Sequence, residues 1–257
     1  LNAPDTPTLK AKDFATDQEV RWCPGKTLAE VGADPDRTVF VSGIGCAARF
    51  PYYMATYGFH TIHGRAAAVA TGLNLANDDL DVWVVSGDGD SLSIGGNHLL
   101  HLLRRNVDVQ YLLFNNEIYG LTKGQFSPTS RAGTHSPSSP GGSTDNPVHA
   151  LSFALGSGAR FIARAVDVGP AVLSDVLKRA RAYRGTSFVE ILQNCIVYND
   201  GIFNALTDKK VLAENTVVAR HGEKLLFGKD SERGLILGKD GFSIQAVTLG
   251  AAAAARK

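Results

Sequence analysis

Between residues 38 and 195 the chain alternates short apolar runs with amphipathic stretches. Residues 38–42, 82–85, 109–114, 159–164 and 186–192 are apolar runs bounded by turn residues, the pattern of buried parallel strands. Residues 66–76 (AAAVATGLNLA), 94–105 and 170–183 read as helices. The last of these has Pro170 in its first turn, and Val172, Leu173, Val176, Leu177 and Ala180 share one of its faces. Strand–helix–strand alternation on this scale predicts an α/β fold: a doubly wound, mostly parallel sheet with helices on both faces.

The alternation stops at Asn199. Residues 201–215 read as a short helix and loop, 217–222 and 223–227 as a hairpin, and 232–249 as a second small β region. The closing AAAAARK reads as a fragment of a terminal helix. The expected organisation is an N-terminal arm and loop over 1–37, a main domain over 38–198, and a C-terminal extension containing β structure over 199–257.

The arm at 1–20 is polar, carries Pro4 and Pro7, and reads as extended. Residues 27–31 look like the end of an amphipathic helix closed by Gly32. A Pro24-Gly25 turn stands where its first turns belong, so a further segment between Gly25 and Lys26 is expected. Residues 126–148 hold four prolines and many Ser, Thr and Gly. A loop this long in a compact domain is usually functional or mobile, and a lid or interface role stands open beside plain solvation.

The 257 residues suffice for one large α/β domain with appendages. A net charge of +1 gives no basic surface for nucleic acid. No apolar run reaches the length of a membrane span and no signal peptide is visible, so a cytoplasmic protein without a membrane partner is expected. Cys23, Cys46 and Cys195 lie far apart, which argues against a disulfide scaffold and for a reducing compartment.

The candidate chemistry sits at the strand ends. Gly87-Asp88-Gly89-Asp90 follows one predicted strand and Asn115-Asn116-Glu117 follows the next. A right-handed crossover brings both loops to the carboxyl edge of the sheet, where ligands of open α/β sheets bind. Asp88 is a hard carboxylate between two glycines that let a ligand approach the backbone, and Asn116 offers an amide oxygen. With a carbonyl just beyond, they could hold Mg²⁺ against a diphosphate. Gly43-Ile44-Gly45-Cys46 is a second glycine-rich loop at a strand end. His63-Gly64-Arg65 precedes the small-residue helix, where a capped helix start is an equal reading. For the cysteines, three unrelated core residues remain a fair reading, and no C-x-x-C spacing marks a metal site.

GDG followed by NN, with a strand–helix–strand pattern between, resembles the diphosphate-binding motif of thiamine diphosphate enzymes. The wider set of blocks is similar to the β subunit of 2-oxoacid:ferredoxin oxidoreductases: Trp22-Cys23-Pro24-Gly25, GIGCAARFPYY, HGRA, GDGD, NNEIYGLTKGQFSPTS, Cys195 and Leu225-Leu226-Phe227-Gly228-Lys229. The 2-oxoglutarate type is the most similar, and the pyruvate or broad-range type is the runner-up. A non-redox decarboxylase or synthase, and a non-catalytic thiamine-fold binding module, are further alternatives.

The resemblance implies oxidative decarboxylation of a 2-oxoacid with coenzyme A, using thiamine diphosphate, Mg²⁺ and a 4Fe–4S cluster, with electrons passed to ferredoxin. It implies Asp88, Asn116 and the Ile118 carbonyl as Mg²⁺ ligands. Ile44, Gly45, Cys46, His63, Gly64, Gly87, Gly89, Asp90, Gly120 and Leu121 would line the cofactor, and Lys123 and Arg49 would hold the carboxylates of the acid. Cys23, Cys46 and Cys195 would ligate the cluster. Lys26 stands where the family has a fourth cysteine, which the resemblance places in the segment expected before Lys26. An α (or fused γα) subunit would supply the pyrimidine-binding domain and its catalytic Glu.

Overall fold

The computed structural model describes residues 22–220 and 222–249, with side chains from residue 24 onward. The N-terminal arm, the Cys23 side chain and the terminal alanine run lie outside the described residues. The chain divides into two compact units, Leu1–Ile202 and Phe203–Lys257.

The first unit is built on β1 (Thr38–Ser42), β2 (Tyr57–His60), β3 (Asp81–Gly87), β4 (Gln110–Asn115), a short antiparallel pair β5 (Ile118–Tyr119) and β6 (Gln125–Phe126), β7 (Phe161–Val166) and β8 (Ser187–Leu192). Six of these form one sheet in the order β2-β1-β3-β4-β8-β7, and every neighbouring pair is parallel. The doubly wound α/β expectation is met. β1, β4 and β8 are buried along their whole length, as strands covered on both faces must be. Side chains alternate across the sheet. Val82 and Val84 join a core with α2 (Ala66–Ala76), α4 (Gly96–Arg105) and α5 (Ala150–Gly156). Trp83 and Val85 join the opposite core with α1 (Trp22–Glu30) and α6 (Pro170–Ala182).

The chain runs from β1 outward to β2, then returns to place β3 on the other side of β1. The loops after β1 and β3 therefore diverge, which opens a crevice at the carboxyl edge. The candidate site residues at 43–46, 63–64 and 87–90 lie around this switch point.

Several local expectations are corrected. The N-terminal helix does have a beginning: α1 starts at Trp22 and runs unbroken through Pro24, Gly25 and Lys26. Proline is tolerated in a first turn because its missing N–H has no intrahelical partner there, so the helix requires no segment between Gly25 and Lys26. β2 was not read from the sequence, because all four of its residues are exposed on an edge and lack an apolar run. The helix expected at 94–105 is α4, which starts at Gly96; what the sequence reads as a plain loop from Asp88 is instead a short helix, α3 (Asp88–Leu92), ahead of it.

In the second unit, α7 (Asn204–Thr207) and α8 (Leu212–Asn215) precede β9 (Leu226–Phe227), β10 (Arg233–Leu237) and β11 (Ile244–Thr248). These strands form an antiparallel sheet ordered β11-β10-β9. The hairpin expected over 217–227 is displaced: residues 217–220 are irregular, and the longer hairpin is β10–β11. The β-branched run at 217–218 lacks a partner strand, and pairing decides strand formation here. Among the described residues no helix is long and apolar enough to cross a membrane.

Candidate cofactor and metal site

β3 ends at Gly87, and Asp88 opens α3. Asp88 is buried, with 2% of its surface exposed. Its Oδ2 accepts hydrogen bonds from Ser127 Oγ at 2.5 Å and Thr129 Oγ1 at 2.6 Å. Burial still pushes the carboxyl above the usual carboxylate range, even though these hydroxyls and the Asp88 and Gly89 amides pull it down. A cation beside Asp88 would offset that desolvation penalty. The donor set thus fits the hard, oxygen-seeking Mg²⁺.

Ser127, Thr129 and the neighbouring Ser130 open the long loop expected over 126–148, and all three are buried. Ser130 Oγ receives the Ser127 N–H and donates to the Glu117 carbonyl. The start of the loop is therefore a wall of the site. Sequence reading passed over these hydroxyls, since Ser and Thr in a Pro-rich stretch look like ordinary turn residues. Their one visible signal was the SPTS run closing the NNEIYGLTKGQF block.

The loop after β4 turns tightly. Glu117 N donates to Asn115 Oδ1 and Ile118 N to Asn116 Oδ1, both at 3.1 Å. Glu117 takes a left-handed φ of 54°, so these side-chain bonds hold a backbone that disfavours itself. An amide oxygen has two lone pairs, so Asn116 keeps one for a ligand. Ile118 lies two residues on, at the start of β5.

Asp90 is as buried as Asp88, at 3% exposure. Its Oδ1 accepts from Ile44 N at 3.1 Å and Gly64 N at 2.7 Å, and its Oδ2 from Ser86 Oγ at 2.5 Å. One carboxylate thus ties the loop after β1 and the His63-Gly64 turn to the loop after β3. His63 Nδ1 lies 3.9 Å away. Both oxygens have protein donors, so Asp90 joins the cradle together. Gly43 is required there, since a Cβ on it would run into Asp90 Oδ2. Gly45 has a φ of 113° and open space beside it.

Tyr119 closes over Gly89 and donates to its carbonyl at 3.0 Å. A Cβ on Gly89 would collide with the ring. Gly120 follows, and its Cβ position lies 3.5 Å from Cys195 Sγ and 3.6 Å from Cys46 Sγ. Two cysteines that are 149 residues apart in the chain thus flank one glycine. Among the described residues no three His, Cys, Asp or Glu side chains converge to hold a metal ion; Cys23, the third cysteine of the expected set, lies outside that description.

Leu121 and Lys123 are exposed on the β5–β6 turn, and Arg49 is exposed on the 3-10 segment Cys46–Tyr53. Lys123 adopts a left-handed φ of 79°. Among the described residues neither cation forms an ion pair, and no hydrogen bond ties them to the Asp88 network.

A parallel sheet with a glycine–acid loop and an amide loop at its carboxyl edge is the arrangement in which open α/β domains bind ligands. The family model of the thiamine pyrophosphate enzyme C-terminal TPP-binding domain matches residues 43–191. The chain is 53% identical over 247 residues to the 2-oxoglutarate oxidoreductase subunit KorB of Mycobacterium tuberculosis, covering 92% of this chain and 65% of the relative. It is 38% identical over 203 residues to the 2-oxoglutarate synthase subunit KorB of Methanothermobacter marburgensis, covering 78% and 71%. A solved 2-oxoglutarate:ferredoxin oxidoreductase from Magnetococcus marinus, with 2-oxoglutarate, coenzyme A and succinyl-CoA bound, superposes with a TM-score of 0.73 at 34% identity, covering 89% of this chain and 81% of that one. The chain belongs to the thiamine pyrophosphate enzymes and, within them, to the β subunits of the 2-oxoacid and 2-oxoglutarate oxidoreductases. It spans 65% of the length of the mycobacterial relative.

Proposed function

We propose that this chain is the β subunit of a coenzyme A-dependent 2-oxoglutarate:ferredoxin oxidoreductase, which converts 2-oxoglutarate to succinyl-CoA and CO₂ in the cytoplasm. The observation that carries the reading is buried Asp88 at the sheet switch point, braced by two hydroxyls beside the Asn116–Ile118 turn. Similarity to relatives named for 2-oxoglutarate supports this acid over pyruvate.

Thiamine diphosphate, when bound, supplies the carbon nucleophile and electron sink for the keto acid. The residues that would hold it are this chain's own. Asp88, Asn116 and the Ile118 carbonyl would hold Mg²⁺ against the diphosphate. Gly87 leaves the backbone open to approach, Gly89 makes room for the Tyr119 ring, and Asp90 keeps Ile44, Gly45 and Gly64 in place. Lys123 and Arg49 are the cations suited to the two carboxylates of the acid. An iron–sulfur centre would take Cys46 and Cys195, whose sulfurs flank Gly120, together with Cys23. Such a centre normally takes four thiolates, so its fourth ligand is not one of this chain's three cysteines. The Glu that activates the cofactor would come from an α or fused γα partner; the relatives are themselves named as subunits.

The test is anaerobic turnover by the natively purified complex with coenzyme A and an electron acceptor, run on 2-oxoglutarate and pyruvate in parallel. Succinyl-CoA formation that requires Mg²⁺ and thiamine diphosphate supports the proposal. Turnover of pyruvate alone selects the pyruvate type, and no turnover of either acid overturns it.

A further inference from the structure

One buried charge has no part in the site as built so far. Glu190 lies mid-strand in β8 with 1% of its surface exposed. It interrupts an apolar run, Phe188-Val189-Glu190-Ile191-Leu192, and a charge in such a place needs partners. Its Oε2 accepts from Arg164 Nε at 2.7 Å and lies 2.6 Å from Arg164 Nη2. Arg164 sits directly across on β7. The other oxygen, Oε1, accepts from Asn115 Nδ2 at 2.8 Å.

The order of donors and acceptors then becomes forced. Arg164 can only donate, and ionised Glu190 can only accept. Asn115 must therefore turn its NH₂ toward Glu190 and its oxygen away. That oxygen receives the Glu117 N–H at 3.1 Å and lies 3.0 Å from Thr129 Oγ1. Thr129 in turn donates to Asp88. A flipped Asn115 would set its NH₂ against the Glu117 N–H, donor against donor. The left-handed Glu117 would lose the side-chain bond that holds it, and it stands between Asn116 and Ile118.

We infer that Glu190, oriented by Arg164, is a positioning residue that fixes the amide of Asn115 and thereby the turn presenting Asn116 and Ile118 to the metal and diphosphate. The inference rests on the site reading above. It gives Glu190 a task about which the strand pattern is silent, and it makes the first Asn of the NN pair an internal brace and the second the ligand.

The test is a two-residue cycle in the purified complex, read as the Mg²⁺ concentration that half-saturates thiamine diphosphate binding. Glu190→Gln presents an NH₂ to Asn115 and removes the forced order. Asn115→Asp sets two carboxylates against each other. Each single variant is expected to raise the half-saturating Mg²⁺ about 10- to 100-fold, the usual loss when an outer support of a metal site is removed. The double variant restores the order: the introduced glutamine amide donates to the introduced carboxylate, which still accepts the Glu117 N–H. It is expected to recover most of the loss. Residues in contact couple whatever their role, so the urea midpoint of each variant is read beside the Mg²⁺ titration: a purely structural role would move the midpoint and leave the half-saturating Mg²⁺ of the folded complex unchanged.

Glu190→Gln that binds like wild type, or a double variant no better than Asn115→Asp alone, overturns the inference. The second comparison stands even where Glu190→Gln fails to fold. A wild-type complex that binds thiamine diphosphate without Mg²⁺ overturns the site reading itself, and this inference with it.

Discussion

The loop that Asp90 closes and the loop that Asp88 faces lie side by side and are held by opposite kinds of partner. Asp90 accepts two backbone N–H groups and one hydroxyl across both oxygens. Asp88 accepts two side-chain hydroxyls on the same oxygen, and its backbone donors are the local amides of Asp88 and Gly89 rather than distant loops. Both carboxylates are buried to the same degree, so burial does not separate their roles. The partners do: backbone donors from distant loops turn a carboxylate into a staple, while donors crowded onto one oxygen leave the group aimed at something else.

Substitutions break this comparison in graded ways. Asp88→Asn is expected to have the largest effect, weakening Mg²⁺-dependent thiamine diphosphate binding by more than about 100-fold, beyond the loss typical of an outer support. Titration of cofactor with Mg²⁺ measures it, and circular dichroism should show an intact fold. Gly43→Ala places a methyl group on the Asp90 carboxylate, and a clash of this kind costs about 2–3 kcal/mol, read as a lower urea midpoint. Asp90→Asn replaces an acceptor with a donor facing either the Ser86 hydroxyl or two amides. It is expected to cost about 2 kcal/mol of folding stability, with Mg²⁺ affinity falling less than for Asp88→Asn. A reversed order in Mg²⁺ affinity would exchange the roles assigned to the two aspartates.

Two smaller changes sharpen the contrast. Thr129→Val removes one of the two hydroxyls on Asp88 and is expected to weaken Mg²⁺ binding by about tenfold and to lower folding stability by about 1 kcal/mol, since a buried carboxylate loses a donor. Lys123→Gly relieves a left-handed φ of 79° and should raise stability by about 1 kcal/mol. If Lys123 holds a substrate carboxylate, the same change raises KM for 2-oxoglutarate. A more stable chain with unchanged KM would remove Lys123 from the substrate site.

Most of the main sheet was legible because β1, β3, β4 and β8 are buried on both faces and so read as apolar runs. The edge strand β2 was hidden, since exposed residues such as Tyr57 and His60 carry no burial signal. The start of α1 was misread because Pro24-Gly25 signals a turn locally, while packing of Leu28 into the core favours a helix. In the second unit a β-branched pair at 217–218 suggested a strand, but the pairing went to β10 and β11.

The amino-acid order alone determined the alternation of elements, the two glycine-punctuated loops at strand ends, and the residue types that suit a diphosphate and Mg²⁺. These are local properties, set by side-chain period and by the conformational freedom of glycine. Only the tertiary structure decided which carboxylate is tied to distant backbone amides, that Ser127 and Thr129 brace the other, Asp88, that Cys46 and Cys195 meet at Gly120, and that Glu190 stands behind Asn115. Those relations join residues up to 149 positions apart, and a hydrogen bond depends on distance and direction in space, about which sequence spacing carries no information.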